Sequence, residues 1–324
     1  MKSFGDVDVP RGEVAFGSLG AVYRPDGSQC HIPIIVVHGA EDGPILWLGS
    51  AMHGPEITGT EVIRRLCRET LDPRTLKGAV VAAPIMNPFA YNAHVMNTPH
   101  DGYNLNRVFP GGDSQLSFRL AKLIWEEGAG KADYIIDYHA NPDPAIMFSL
   151  VKEGSGDVEA RSSAMARAYG ITIINMRRSL ETHRSGSLTD LAVQSGVPSI
   201  TIELVRWRRM DEVAVASGLR GTLNVMVNLG MVDGRIEPQD QCQVIKGRLT
   251  RCEVTASRGG LVHPLKDAGG VVRKDEPIAL VRDAYGDVVE TVISPVDGYI
   301  LAYPFLGNQT VGTGDFVAFI AFHI

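Results

Sequence analysis

Residues 31–232 of the chain alternate between apolar runs and amphipathic stretches, and this alternation constrains the fold most. The apolar runs have the length of buried strands and lie at 31–38, 45–49, 79–85, 134–139, 171–174 and 197–204. Helical periodicity lies between them, at 58–71, 114–127, 158–169, 188–194 and 211–229. Strands that alternate with helices predict a layered α/β structure built around a sheet.

The two ends of the chain have a different character. Residues 1–30 are rich in glycine and carry short alternating patches, which predict edge strands or a hairpin. Residues 240–324 combine short alternating strands with many glycines and show no helical pattern, so we expect a small all-β domain. We therefore divide the chain into an α/β domain at 1–235, which includes the N-terminal strands, and a β domain at 236–324.

The composition argues against several classes of function. A net charge of −6 argues against a protein that binds the phosphate backbone of nucleic acids. No run reaches the roughly 18 consecutive apolar residues of a membrane helix, and the N-terminus lacks an apolar signal core, so we expect a cytoplasmic protein without a membrane partner. The cysteines form no Cys-x-x-Cys pair. Cys242 and Cys252 could meet in a hairpin, but reduced, buried thiols are the favoured interpretation.

Two local patterns add detail to this outline. Thr58 or Thr60 can cap the helix predicted at 58–71. Residues 87–114 form a long polar segment without clear periodicity, and a loop of that length in a compact domain is usually functional. Within it, residues 109–112 (Phe-Pro-Gly-Gly) predict a tight structural turn.

Polar residues recur where an apolar strand ends or a loop begins. They are His53 with Glu56, the Asn-Leu-Asn-Arg sequence at 104–107, the Asp-Tyr-His sequence at 137–139, and Glu203. In open α/β sheets, ligands bind at the carboxyl ends of the strands. A chain that returns polar groups to this edge four times predicts a functional site there.

His53, Glu56 and His139 are candidate metal ligands. His53 and Glu56 are three positions apart across a Gly-Pro turn, which can aim both side chains at one point. His139 alone would be an ordinary strand-end histidine, but beside the other two it completes a set of two imidazoles and one carboxylate. Such a set leaves a fourth position open for water, as in catalytic zinc sites. Asp137, on the same strand face, could orient the His139 imidazole.

Glu203 lies inside an apolar strand, and a carboxylate there needs a reason because burying an unpaired charge is costly. One interpretation is a salt bridge to Arg206 or Arg208. The other is a general base that takes a proton from metal-bound water and passes it to a leaving amine.

Asn106 and Arg107 stand in the long polar segment. An arginine can grip a carboxylate with two parallel hydrogen bonds, so Arg107 is a candidate for substrate binding. The alternative is an arginine that only stabilises its own loop.

The motifs at 53–56, 104–111, 137–139 and 201–204 together resemble those of the succinylglutamate desuccinylase/aspartoacylase family, which is related to the zinc carboxypeptidases. The resemblance implies a three-layer mixed sheet with helices on both faces. The C-terminal region looks like the barrel-sandwich domain of the same family, which resembles biotinyl and lipoyl modules. The tip at 294–299 carries no modifiable lysine, so we interpret this domain as a structural cap that narrows the site entrance.

The resemblance also implies roles for individual residues. His53, Glu56 and His139 would hold one Zn²⁺ per chain, with Glu203 as general acid/base. Asn106 and Arg107 would bind a substrate carboxylate. The reaction would be hydrolysis of the acyl amide of a small N-acylated amino acid or related amine.

One position departs from the family pattern. Many members carry an arginine that stabilises the developing oxyanion, and ungapped counting places Met96 there. Three neighbours could supply a donor instead, and four residues further along could contact the acyl or amino moiety. The former are His94, Asn97 and His100, and the latter are Arg177, Arg178, His183 and Arg184.

Two other functions remain open at this stage. A metallocarboxypeptidase acting on peptides would use the same ligands, and Met96 would suit a metal-binding protein that has lost catalysis. The sequence also leaves open whether the chain forms a homo-oligomer.

Overall fold

The computed structural model describes residues 3–176, 186–305 and 308–324. Its main feature is a mixed sheet that carries helices on both faces. The strands of the α/β region are β1 (Glu13–Tyr23), β2 (Gln29–His38), β3 (Glu41–Gly49), β4 (Lys77–Ala83), β5 (Tyr134–Asn141), β6 (Phe148–Lys152), β7 (Thr172–Met176) and β8 (Ser199–Val205). The helices are α1 (Thr58–Arg65), α2 (Pro88–Ala93), α3 (Leu116–Glu127), α4 (Asp157–Tyr169), α5 (Leu188–Gln194) and α6 (Glu212–Asn228).

The eight strands of this region lie in the order β1-β2-β4-β3-β5-β8-β6-β7. Strands β4, β3, β5 and β8 run parallel, whereas β1, β2 and β6 pair antiparallel to their neighbours β2, β4 and β8. Leu46, Trp47 and Leu48 of the central strand β3 are fully buried, because helices cover both faces. The carboxyl ends of β3, β5 and β8 therefore lie side by side at one edge.

The two faces of the sheet have separate hydrophobic cores. On one face, α1, α4 and α6 bury side chains such as Ile63, Met165 and Val225. On the other, α3 and α5 bury Leu120 and Leu188 among others. The predicted three-layer α/β structure is therefore confirmed.

Several predictions about individual elements need correction. Helix α1 begins at Thr58, but neither threonine caps it: Thr58 Oγ1 donates to Val205 O (3.4 Å) and Thr60 Oγ1 to Pro84 O (2.8 Å). Both hydroxyls therefore donate to carbonyl groups of neighbouring segments. The predicted continuation of the helix is a π-helical turn at Leu66–Thr70. The sequence pattern predicted neither β6 nor α2, which lies inside the long polar segment.

The C-terminal region is built of strands, as predicted. They are β9 (Leu249–Thr255), β10 (Gly260–Pro264), β11 (Val271–Val272), β12 (Pro277–Arg282), β13 (Val288–Ile293), β14 (Gly298–Ala302), β15 (Thr310–Val311) and β16 (Phe316–His323). Four of them continue the main sheet in the order β9-β16-β14-β11, and the other four form a second sheet, β13-β12-β10-β15. The continuation depends on one residue pair between β7 and β9, Ile174 with Leu249. The division of the chain at 235/236 stays a prediction.

Two remaining expectations concern cysteines and membrane spans. All four cysteines are free; Cys30 and Cys67 are buried, whereas Cys242 and Cys252 are only half-buried. Burial raises the pKa of the Cys67 thiol to about 12. Within the described part of the chain, the helices are too short or too polar to cross a membrane.

Candidate active site

The turn between β3 and α1 positions the first two candidate ligands. Its backbone is held by Gly54 N–H, which donates to Val95 O (3.0 Å), and by Glu56 N–H, which donates to His53 O (3.1 Å). A side chain at Gly54 would overlap the carbonyl oxygen of Ala90, so only glycine permits this close approach. The turn is thus packed against α2 and the residues that follow it.

The structure brings His53, Glu56 and His139 together, as predicted. Nδ1 of His53 lies 2.9 Å from Oε1 of Glu56, and Nδ1 of His139 lies 2.9 Å from Oε2. One ligand atom from each residue can be chosen so that all three lie within 4.8 Å of one another, and all three residues are buried. This compact, buried set could hold a metal ion.

The outer nitrogens of the two imidazoles face oxygen acceptors. His53 Nε2 lies 3.0 Å from Asn104 Oδ1, which is fixed as an oxygen because it also accepts from Asn106 N–H (2.9 Å). His139 Nε2 lies 2.9 Å from Asp137 Oδ2. When the imidazoles are neutral, as they are when they bind a metal, these acceptors favour the tautomer with the proton on Nε2 and leave both Nδ1 lone pairs facing the Glu56 carboxylate. A cation among these three groups removes the repulsion, so the donor set fits a zinc ion.

The electrostatics of the cluster favour positive charge between the ligands. Burial opposes ionisation of Glu56, but His53 and His139 lower its pKa to about 2. Burial likewise opposes charge on His139, but Asp137 and Glu56 raise its pKa well above that of an ordinary histidine. The carboxylates of Glu56 and Asp137 therefore place the His139 imidazole in a strongly negative field.

Glu203 lies beside the cluster, because it pairs with His139 in the parallel register of β5 and β8. The salt-bridge interpretation of this residue is wrong. Arg206 pairs with Asp143 and Asp211 (3.1 Å each), and Arg208 donates to His94 O (3.2 Å). Both arginines lie past the end of β8 and are bonded to these other groups.

The surroundings of Glu203 hold its carboxylate and perturb its acidity. Asn141 Nδ2 donates to Glu203 Oε2 at 2.9 Å. Burial raises the pKa of Glu203, and although His139 opposes that rise, the pKa stays above the ordinary glutamate value. A carboxyl group with a raised pKa can accept and release a proton more readily near neutral pH than an ordinary glutamate can.

Asn106 and Arg107 lie in a short 3₁₀ turn, Leu105–Arg107. Asn106 is buried; its Oδ1 accepts from Leu188 N–H (2.9 Å) and its Nδ2 lies 3.2 Å from His139 Nε2. The Asn106 side chain is therefore held by the start of α5 and lies against the His139 ring, but its Nδ2 cannot donate to an Nε2 that carries a proton. Arg107 is exposed, and its guanidinium donates to Asn106 O (2.6 Å). Their predicted role in binding a substrate carboxylate stays a prediction.

Each of the three neighbours of Met96 makes a contact that the structure shows. His94 is exposed and left-handed (φ 56°), and its carbonyl accepts from Arg208. Asn97 donates to Gly102 O (3.0 Å), and the His100 ring packs edge-on against Phe89. Any role for His94, Asn97 or His100 at the reaction centre stays a prediction.

The other candidates for contact with the acyl or amino moiety fall in the segment 177–185, outside the described residues. They are Arg177, Arg178, His183 and Arg184.

Two residues of the cluster were missed as individual site residues. In the sequence, Asn104 is distinguished only as part of the Asn-Leu-Asn-Arg motif, and Asn141 belongs to no motif. The register of β5 and β8 brings Asn141 to Glu203, since residue 139 aligns with residue 203, but no sequence pattern gives that register. The contact of Asn104 with His53 depends on the path of the loop, which no periodicity indicates.

Comparisons with known proteins agree with this geometry. The sequence profile of the succinylglutamate desuccinylase/aspartoacylase catalytic domain matches residues 42–229. The chain is 28% identical over 302 residues to the N-alpha-acetyl-L-2,4-diaminobutyric acid deacetylase of Halomonas elongata, covering 90% of this chain and 85% of that protein.

Solved structures give the same result. A succinylglutamate desuccinylase/aspartoacylase from Rhodobacter sphaeroides superimposes with a TM-score of 0.85 at 25% identity, covering 98% of this chain and 97% of that one. A metallo-carboxypeptidase from Burkholderia cenocepacia matches more distantly, with a TM-score of 0.54 at 17% identity, over 68% of this chain and 65% of that one, which supports the carboxypeptidase-like fold. The chain therefore belongs to the succinylglutamate desuccinylase/aspartoacylase family and is a hydrolase of amide bonds.

Proposed function

We propose that the chain is a zinc-dependent deacylase that hydrolyses the acyl amide of a small N-acylated amino acid or related amine. The observation that carries this proposal is the buried cluster of His53, Glu56 and His139 with Glu203 beside it. The similarity to a deacetylase of an acetylated diamino acid supports the same class of substrate.

His53, Glu56 and His139 are suited to bind the metal. A bound zinc ion would polarise the acyl carbonyl and lower the pKa of its water to roughly 7. Asn104 and Asp137 fix the two imidazole rings through their Nε2 atoms, so that both Nδ1 atoms stay directed at one point. Little reorganisation is then required of the protein when metal binds.

Glu203 fits the role of general acid/base. In this scheme its carboxylate accepts a proton from the attacking water and passes it to the nitrogen of the leaving amine as the C–N bond breaks. Its position across from His139 places it beside the candidate metal ligands, and its raised pKa suits both halves of the transfer.

Arg107 fits the recognition of a substrate carboxylate. Its guanidinium is exposed at the end of the turn that contains Asn106, and Asn106 itself contacts the cluster. A planar guanidinium binds a carboxylate through two parallel hydrogen bonds, which fixes the distance between the carboxylate and the amide to be cleaved.

A hydrolysis screen tests the proposal. It would cover N-acetyl and N-succinyl amino acids and diamino acids, together with short peptides, with and without a chelator. We expect hydrolysis of acylated amino acids that the chelator abolishes and zinc restores, and about one zinc per chain by metal analysis. Turnover of peptides alone would favour a carboxypeptidase instead, and absence of stoichiometric zinc would refute the proposed metal.

The variant Glu203→Gln tests the general acid/base. The change keeps the size of the side chain but removes the group that accepts the proton, so we expect kcat to fall by about 10²–10⁴-fold with zinc content unchanged. Glu41→Gln is the matched control, because Glu41 is an exposed glutamate at the opposite end of β3. Wild-type kcat in Glu203→Gln would exclude the proposed role.

Two expectations from the sequence accompany this proposal: a cytoplasmic location and the absence of a nucleic-acid partner. The oligomeric state is a matter for measurement in solution.

A further inference from the structure

We propose that Asn141 is a positioning residue that holds the carboxylate of Glu203 in the orientation needed for proton transfer. The inference goes beyond the proposed function and rests on it, because it assigns Glu203 the transfer of the proton. Asn141 is the last residue of β5, is buried, and donates from Nδ2 to Glu203 Oε2 at 2.9 Å.

The strand register explains why Asn141 reaches this carboxylate. In the parallel pair of β5 and β8, His139 aligns with Glu203 and Asn141 with Val205. Residues two positions apart on a strand lie on the same face, so Asn141 and Glu203 are diagonal neighbours across the ladder. The strand that presents the ligand His139 therefore also presents the donor that holds the base.

One hydrogen bond to one oxygen has a specific consequence. The terminal torsion of a glutamate has a broad energy profile, so a carboxylate without a partner samples many orientations. The amide of Asn141 fixes Oε2 and thereby the plane of the carboxylate, which leaves Oε1 as the oxygen that can receive a proton. Displacing a reacting group by about 1 Å can cost about 10²-fold in rate.

The opposite interpretation is that Asn141 only satisfies buried hydrogen bonds at the end of β5. The two interpretations predict different kinetics. A structural role would appear as lower stability, weaker metal binding or a changed KM. A positioning role would appear in kcat alone and would disappear once Glu203 can no longer accept a proton.

The test uses Asn141→Leu and Asn141→Ala in the full chain. Leucine keeps the branched shape and the number of heavy atoms, alanine is smaller, and neither side chain can donate to the carboxylate or adds a charge beside it. We expect kcat to fall by about 10–100-fold, KM to change by less than about threefold, and zinc content to stay at the wild-type value. Asn175→Leu is the control, because Asn175 is a strand asparagine whose amide donates one 3.0 Å bond, to Leu249 O; we expect it to keep kcat.

A double-mutant cycle completes the test. In the Glu203→Gln background, Asn141→Leu should change the residual rate by less than about threefold. Equal effects in both backgrounds, a wild-type kcat in Asn141→Leu, or loss of zinc from both variants would overturn the inference. If Asn141→Leu fails to fold, the smaller Asn141→Ala gives the same comparison. A wild-type chain without hydrolytic activity would overturn the proposed function itself, whereas an active wild type with active Asn141 variants overturns this inference alone.

Discussion

Asp137 provides a sharp test of the metal site, because it contacts the site without being one of the proposed ligands. Its Oδ2 lies 2.9 Å from His139 Nε2 and its side chain is completely buried. Among the described residues, its second oxygen, Oδ1, has no hydrogen-bond partner. A buried carboxylate with one unpartnered oxygen is costly unless positive charge lies nearby, and a metal ion bound to His139 would supply that charge.

The structure suggests the size of the effect. Asp137→Asn keeps an oxygen that can accept from Nε2–H but removes the charge, so we expect zinc to bind about tenfold more weakly, or about 1.4 kcal/mol. Asp137→Ala also removes the acceptor and frees the ring to turn, so we expect about a hundredfold loss, or about 2.8 kcal/mol.

The assay is competition for zinc against a chromophoric chelator at neutral pH. Asp133→Asn is the control: Asp133 precedes the opposite end of β5, where it accepts from Ile45 N–H at 2.8 Å. The control removes the same charge away from the site and should leave zinc affinity unchanged. The reasoning is refuted if Asp137→Ala binds zinc within twofold of the wild type.

Two further predictions address the turn and the pH dependence of stability. Gly54→Ala forces a side chain against Ala90 O, so it should displace the turn and reduce zinc stoichiometry, measured by metal analysis; full zinc content would contradict the packing argument. Hydrogen bonds from Arg64, and then from Arg65, lower the pKa of Glu61 to about 2 against the opposing effect of burial. This stabilisation is present above the unfolded pKa of 4.5 and is lost as the pH falls towards 2. Glu61→Gln should therefore cost about 1 kcal/mol at pH 7, since solvent screens the half-exposed Arg64, and progressively less in urea unfolding below pH 4.5; a pH-independent difference would contradict it.

The sequence predicted the meeting of His53, Glu56 and His139 because their positions follow from secondary structure. His139 lies near the carboxyl end of the buried strand β5, and His53 and Glu56 lie in the turn that follows β3. The carboxyl ends of these parallel strands meet at one edge of the sheet. By contrast, β6 was missed: its five residues carry no clear pattern, and they form a strand because β8 and β7 offer partners on its two sides, β8 antiparallel and β7 parallel.

The errors at single residues have a common physical origin. Thr58 has the chemistry of a helix cap, but a carbonyl of β8 lies within reach and takes its hydroxyl. Asn141 has no unusual local sequence, and its bond to Glu203 exists only because two distant strands pair in one register. Contacts that depend on register or on the path of a loop are not encoded within a short window of sequence.

Asn104 contacts both the candidate metal site and the turn that contains Arg107. Its Oδ1 faces the outer nitrogen of His53 and also accepts from Asn106 N–H at the start of the turn that presents Arg107. Binding that fixes Asn104 through its contact with His53 therefore also fixes its contact with Asn106, and the reverse holds as well. If metal binding orders this turn and thereby tightens the binding of a ligand at Arg107 by some factor, that ligand must tighten metal binding by the same factor, because thermodynamic coupling is reciprocal. Metal retention and substrate recognition would then be one linked equilibrium in this protein.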